Sequence, residues 1–141
     1  PQLVLVFGGR AVLEDERYFN EIKSFYTDAN ILLCSTAGEI IGTEVNDDSL
    51  SVTAVAFEKT TIAFAQTTIE SPSESEEKGT KLAQELPQEN LRHAMVFSDG
   101  LKVNGTPLVK GLSEHLPENI SITGGLVGDG ADFKKTLVVI N

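Results

Sequence analysis

Four short apolar runs in this chain each end in a cluster of small and polar residues. They are Leu3-Val4-Leu5-Val6-Phe7 before Gly8-Gly9-Arg10, Ile31-Leu32-Leu33-Cys34 before Ser35-Thr36-Ala37-Gly38-Glu39, Ala94-Met95-Val96-Phe97 before Ser98-Asp99-Gly100, and Ile120-Ser121-Ile122-Thr123 before the glycine-rich segment 124–130. Short runs of this composition, with glycine just beyond them, predict buried strands. Helical patterns between several of the runs favour parallel strands in an α/β layer.

Apolar positions at helical spacing predict three helices. The first runs from Leu13 to Tyr26, the second starts at Ser71-Pro72 and stops before Pro87, and the third starts at Thr106-Pro107 and stops before Pro117. Serine or threonine followed by proline is typical of a helix start. The pattern therefore places helices between the first and second strands and on both sides of the third.

The middle of the chain predicts additional strands. A short strand is expected over residues 39–43, and two more over residues 50–57 and 61–69. Because only Glu58-Lys59-Thr60 joins the last two, we expect them to pair as an antiparallel hairpin. The predicted fold is α/β, with about seven or eight strands in a mixed sheet, or in two stacked sheets, and three outer helices.

Size and charge narrow the class of protein. The chain has 141 residues and a formal net charge of −10. This charge disfavours nucleic acid and anionic membrane surfaces as partners, and no apolar stretch approaches the roughly 20 residues of a membrane span. The single cysteine excludes an internal disulfide and a cysteine metal cluster, which favours a reducing, cytoplasmic location. We interpret residues 1–141 as one domain, and the apolar strand at the end as the edge of a fragment from a longer chain.

The strand ends are the expected place for a ligand, because α/β sheets bind ligands beyond the carboxyl ends of their strands. In the segment after the second run, Ser35 and Thr36 supply hydroxyls, Gly38 permits a tight turn, and Glu39 supplies a carboxylate for an ammonium group. Exposed backbone amides of such a turn hold anions. The alternative is a turn whose hydroxyls satisfy only its own backbone.

Two further strand ends carry similar residues. Gly124, Gly125 and Asp129 lie in a segment with too many glycines for a strand interior, and its spacing matches neither a Walker loop nor a Rossmann fingerprint. Close approach of the backbone to a ligand or to a neighbouring strand explains it, and a purely structural mobile loop is the alternative. Ser98 and Asp99 follow the third strand, where ordinary turn chemistry is an equal alternative.

Catalysis has less support than binding. Cys34 or Ser98 would be the nucleophile, but neither His93 nor His115 is placed by the sequence to activate it. Cys34 ends an apolar strand, which is typical of an unreactive buried cysteine. No histidine-based metal motif is present, so we expect neither an enzyme nor a metal site.

Several of these segments together resemble the FIST N-terminal domain, found in signalling proteins. The resemblance runs over nearly the whole chain, and its specific parts are Cys34-Ser35-Thr36-Ala37-Gly38-Glu39 and Gly124-Gly125-Leu126-Val127-Gly128-Asp129. The resemblance implies a sensory domain that binds a small ligand, with amino acids or related metabolites as the suggested class, and that is followed by a C-terminal FIST partner domain and a signalling output module. Here the small residues Gly8, Gly9 and Val127 differ from those we expect in the family.

The residues at the strand ends and the family resemblance together predict a binding site for a small ligand. The cofactor is unknown, and the predicted ligand-binding residues are Ser35, Thr36, Gly38, Glu39, Ser98, Asp99, Gly124, Gly125 and Asp129. We expect them to converge on one rim, where amides near 35–38 and 124–125 hold a carboxylate and Glu39 or Asp99 holds an ammonium group. Two alternatives stay open: a haem-binding gas sensor, for which only His93 and His115 would be ligands, and a docking domain that binds no metabolite.

Overall fold

The structure is a computed structural model that describes all residues from 1 to 141. Its first part is built around a four-stranded mixed sheet. Its strands are β1 (Leu3–Gly8), β2 (Asn30–Ser35), β5 (Leu50–Val55) and β8 (Val138–Ile140), in the order β5-β1-β2-β8. β1 and β2 are parallel, as predicted, whereas β5 and β8 are antiparallel to their neighbours. The structure is thus mixed α/β, which confirms the predicted fold class.

The core of this sheet follows from the alternation of side chains along β1. Val4 and Val6 are fully buried on one face, where they meet Ile31 and Leu33 of β2. Phe19, Ile22 and Tyr26 of the helical segment pack against the same cluster. Burying an aliphatic side chain of this size contributes roughly 1.5–3 kcal/mol, so this cluster fixes the positions of the two parallel strands.

The first predicted helix is divided into two. A short α1 (Arg10–Leu13) precedes α2 (Glu16–Phe25), which raises the number of α-helices to four. The break falls at Asp15, whose carboxylate accepts a hydrogen bond from the backbone N–H of Arg17 and caps α2. An aspartate at this position favours a new helix start over continuation of the preceding turn.

A small hairpin follows β2. It consists of β3 (Glu39–Ile41) and β4 (Glu44–Asn46), paired antiparallel. The larger hairpin predicted over residues 50–57 and 61–69 is wrong, because β5 pairs with β1 and residues 61–69 form no strand. The contacts between residues divide the molecule into two compact units. One consists of Pro1–Thr61 and Val127–Asn141, and the other consists of Ile62–Leu126. The two arms of the expected hairpin therefore belong to different units.

The second unit contains a two-stranded parallel sheet and two helices. The strands are β6 (His93–Ser98) and β7 (Ser121–Leu126), and the helices are α3 (Ser75–Glu85), which follows a 3-10 turn over Pro72–Glu74, and α4 (Gly105–His115). Ala83, Ala94, Leu108, Leu112 and Leu116 form its core. The helices approach closely at Gly111, where an added Cβ would lie 2.1 Å from the Glu76 carbonyl oxygen.

None of the helices has the length and apolar character required to cross a membrane.

Candidate functional site

A buried carboxylate lies where β3 begins. Glu39 is only 1 % exposed. Its Oε1 accepts a hydrogen bond from the Thr36 hydroxyl, and its Oε2 accepts bonds from the Ser49 N–H at 3.0 Å and the Ser49 hydroxyl at 2.8 Å. These bonds tie the end of β2 and the residue before β5 to the start of the β3–β4 hairpin.

Glu39 is an anion without a cationic partner. Burial acts to raise the pKa of Glu39, but the hydrogen bonds from Thr36 and Ser49 outweigh it and lower the pKa below the ordinary value of 4.5. No lysine, arginine or histidine forms an ion pair with this carboxylate, although eleven ion pairs form elsewhere in the structure. Since buried charges are normally paired or bound to a metal, a buried anion of this kind is unusual.

A small depression opens beside Glu39. Its volume is about 220 Å³. It is lined by Phe7, Thr36, Gly38, Glu39, Ile40 and Ser51. The lining combines two hydroxyl groups and one carboxylate with the apolar surfaces of Phe7 and Ile40. Three of the lining residues, Thr36, Gly38 and Glu39, were among the predicted site residues, whereas Phe7, Ile40 and Ser51 were not.

Ser35 has a different role from the one predicted, because both functions of its hydroxyl are used inside the protein. Its Oγ donates to the Gly128 carbonyl at 2.6 Å and accepts from the Leu137 N–H at 2.8 Å. The Ser35 backbone bonds the same two residues. With the side chain 1 % exposed, Ser35 fastens the segment 128–137 across the end of β2.

Asp129 is also held internally. It accepts bonds from the backbone N–H groups of Lys134 and Lys135 at 2.8 and 2.9 Å, and from the Arg10 guanidinium. The bond from Lys135 lowers the pKa of Asp129 most; burial opposes it, and Lys134 and Arg10 bring the pKa to about 2. Arg10 continues the network to Glu14 and Asp132, each at 3.1 Å. Arg10 was not among the predicted site residues, although it directly follows the small residues at the end of β1.

The backbone amides expected to hold a ligand carboxylate are largely occupied. The N–H of Ser35 donates to the Leu137 carbonyl, that of Thr36 donates to the Gly8 carbonyl, and that of Gly38 donates to the Thr36 hydroxyl at 3.3 Å. This is the arrangement that the alternative interpretation described, in which the turn satisfies its own polar groups.

The second unit contains the other four predicted residues. Asp99 follows β6, and its Oδ1 accepts bonds from the N–H groups of Leu101 and Lys102 at 2.7 and 2.8 Å, which is turn chemistry. Gly124 and Gly125 lie inside β7, so the expectation of a loop at these glycines is wrong. Gly124 has φ +136°, and an added Cβ would lie 1.7 Å from the Val96 carbonyl oxygen on the neighbouring strand. Ser98, at the end of β6, is half-buried.

The predicted site residues thus fall into two groups. Within the first unit, hydrogen bonds join Thr36 to Gly38 and Glu39. Ser35 instead bonds Gly128 and Leu137, and Asp129 bonds Arg10, Lys134 and Lys135. Within the second, Gly125 is the register partner of Phe97, and Ser98 the register partner of Leu126. The convergence of both groups on one rim stays a prediction. Ser75 was missed in the sequence: it is fully buried, accepts from the Asn104 N–H and donates to the Pro72 carbonyl.

The cysteine considered as a nucleophile and the two histidines considered as haem ligands are poorly placed for these roles. Cys34 is fully buried in β2, and burial raises the pKa of its thiol to about 12, so the thiolate nucleophile is not formed near neutral pH. His93 is exposed and bonds Thr123, while His115 is exposed at the end of α4 and bonds the Gly111 carbonyl. Neither histidine lines the depression, and this arrangement does not fit an axial haem site. His, Cys, Asp and Glu side chains nowhere form a group of three or more suited to a metal ion.

The fold and the depression together define a mixed α/β domain with polar side chains gathered at the ends of its parallel strands. The FIST N domain model matches residues 2–141, and the chain belongs to the FIST N domain family. This family consists of sensory domains of signal-transduction proteins, which usually accompany a C-terminal domain. No curated protein and no solved structure matches the chain.

Alanine substitution of each of the two glycines in β7 tests whether the geometry of the strand requires that glycine. We expect Gly124→Ala to lower the free energy of unfolding by about 3 kcal/mol or more, because the new Cβ collides with the Val96 backbone. Gly125→Ala is the matched control: an added Cβ there meets nothing within 4 Å, so the change should be within about 0.5 kcal/mol. Urea unfolding measures both, and equal losses in the two variants would contradict this assignment.

The structural role of Asp129 predicts a pH-dependent effect of Asp129→Asn. Because the folded-state pKa is lowered to about 2, the ionised carboxylate stabilises the fold above its unfolded pKa of about 3.9, and this stabilisation is lost as pH falls toward 2. We expect the variant to unfold several degrees below the wild type at about pH 7, and the difference to shrink below about pH 4. Asp28→Asn, at an exposed position, is the control. A difference in Tm that is constant with pH would argue against ionised Asp129 as the stabilising group.

Proposed function

We propose that this domain is the cytoplasmic input module of a signalling protein and that it senses a small molecule carrying an ammonium group, an amino acid or a related metabolite. It binds this molecule without chemical turnover. Membership in a family of sensory domains supports the general role. The observation that carries the specific proposal is the buried Glu39 carboxylate, which lines the depression and has no cation beside it.

The Glu39 carboxylate has no counter-charge inside the protein. Removing a carboxylate from water costs several kcal/mol, and the hydrogen bonds from neutral donors keep Glu39 ionised without neutralising its charge. A ligand ammonium group in the depression would supply the opposite charge in a poorly solvated place, where charge-assisted hydrogen bonds are strong. Glu39 therefore favours cationic ligands, whereas Asp129, already paired with Arg10, contributes to stability.

Docking on a partner domain is the second candidate. The β3–β4 hairpin beside the depression exposes three large apolar side chains: Ile40 is 68 %, Ile41 55 % and Val45 69 % exposed. Exposed apolar surface is typical of protein contact sites when it forms a continuous patch. The C-terminal domain that usually accompanies this family is the natural occupant.

Glu39→Gln tests ligand sensing directly. We expect at least one compound from a panel of L-amino acids and small amines to raise the Tm of the protein in a saturable way. The variant should weaken the Kd for that compound about tenfold or more, because a neutral amide cannot pair with an ammonium group.

Glu44→Gln is the matched control, since it removes the same charge from an exposed position on β4 of the same hairpin. It should leave the Kd unchanged. If no compound produces a saturable shift, or if Glu39→Gln binds as well as the wild type, the sensing proposal fails and docking becomes the preferred function.

A further inference from the structure

We propose that the Glu39 depression selects small primary amines that lack a carboxylate over free amino acids. This inference rests on the proposed function and narrows its ligand class. It follows from an asymmetry in the lining: the depression has a buried anion for an ammonium group, but its surroundings offer almost no donor for an anion.

The cation-binding side is a negative charge that no cation neutralises. The Glu39 carboxylate accepts one bond on Oε1 and two on Oε2, and the backbone N–H of Glu39 itself is a further donor to it. All of these donors are neutral, so the carboxylate keeps a charge that attracts an ammonium group in the depression. Asp47 adds negative charge nearby, since its Oδ1 lies 3.7 Å from the place that a Cβ on Gly38 would occupy. Both groups attract a cation and repel a ligand carboxylate.

The anion-binding side is missing. None of the six lining residues is basic. The N–H of Gly38 and the hydroxyl proton of Thr36 are already donated, to Thr36 and Glu39 respectively. Only the Ser51 hydroxyl, with a long 3.4 Å bond to the Ile40 carbonyl, has a weakly held proton. The carboxylate of a bound amino acid would thus lie near the carboxylates of Glu39 and Asp47, with only the Ser51 hydroxyl as a donor. This arrangement would be destabilising.

The size and the apolar lining restrict the rest of the ligand. A volume of about 220 Å³ is below the roughly 300 Å³ at which pockets for drug-sized molecules begin. Phe7 and Ile40 supply apolar surface for a short hydrocarbon group. The geometry therefore suits an aliphatic amine of a few carbon atoms.

Three matched compounds test this selectivity: isopentylamine, L-leucinamide and L-leucine. They share the same branched hydrocarbon group, and leucinamide has nearly the size of leucine without its carboxylate. Isothermal titration calorimetry on the 141-residue chain should give Kd values for isopentylamine and leucinamide about tenfold or more below that for leucine. Leucine binding as tightly as leucinamide would overturn this inference and leave the proposed function intact. If none of the three compounds and no other member of the panel binds, both proposals fail.

Two variants assign the binding to this depression. Ser51→Leu fills it with side-chain atoms and leaves all hydrogen bonds of Glu39 in place, so it should abolish amine binding in a folded protein. Ser51→Leu therefore tests whether the amine binds in this depression even if Glu39→Gln does not fold. Glu44→Gln should bind isopentylamine like the wild type. Unchanged amine affinity in Ser51→Leu would place the amine elsewhere and overturn the inference.

Discussion

The hydrogen bonds that hold the Glu39 carboxylate inside the protein are the constraint on which the site depends. Thr36 and Ser49 are separated by thirteen positions in sequence, and Glu39 joins both of them to the start of β3. A buried carboxylate costs less when its oxygens accept several bonds, and its ionised form is then favoured. The same bonds that organise the hairpin therefore leave a negative charge at the edge of the depression.

The other polar residues of the strand ends make this arrangement rigid. Ser35 fastens the segment 128–137 to β2, and Asp129 fastens the same segment to Arg10 in α1. Such fully bonded networks specify one conformation, because each broken bond would leave a buried polar group without a partner. Residues that look equivalent in the sequence thus differ in their charge environment: Asp129 is paired with Arg10, whereas Glu39 accepts bonds only from neutral donors.

Much of the fold was predictable from local pattern. The parallel pair β1 and β2 follows from two apolar runs with a helical segment between them, and α4 begins and ends close to its predicted positions. The predicted hairpin over residues 50–69 was wrong in both arms. Alternation does not identify the partner of β5, which is β1, and the alternation over residues 61–69 is not accompanied by a strand at all. Gly124 was not predicted to lie in a strand, because glycine usually weakens a strand interior. Here the Val96 backbone of the neighbouring strand lies so close to Gly124 that a side chain at this position would collide with it.

The site was predictable only in part, since hydrogen-bond partners distant in sequence decide each role. Glu39 was predicted to bind an ammonium group, and that role stays a prediction. Nothing in the sequence indicates that Ser49 would bond this carboxylate or that Arg10 would pair with Asp129 instead. The occupied amides of residues 35–38 likewise depend on Gly8 and Leu137, which come from opposite ends of the chain.

The most direct test of the account is the pKa of Glu39 in the ligand-free protein, measured by NMR titration of its labelled side-chain carboxyl carbon. We expect a pKa below the ordinary value of 4.5, so that Glu39 is buried, ionised and without a counter-charge at neutral pH. A pKa above that value would mean that burial outweighs the hydrogen bonds from Thr36 and Ser49. A carboxyl group that is neutral at neutral pH would contradict the central claim, because it needs no counter-charge.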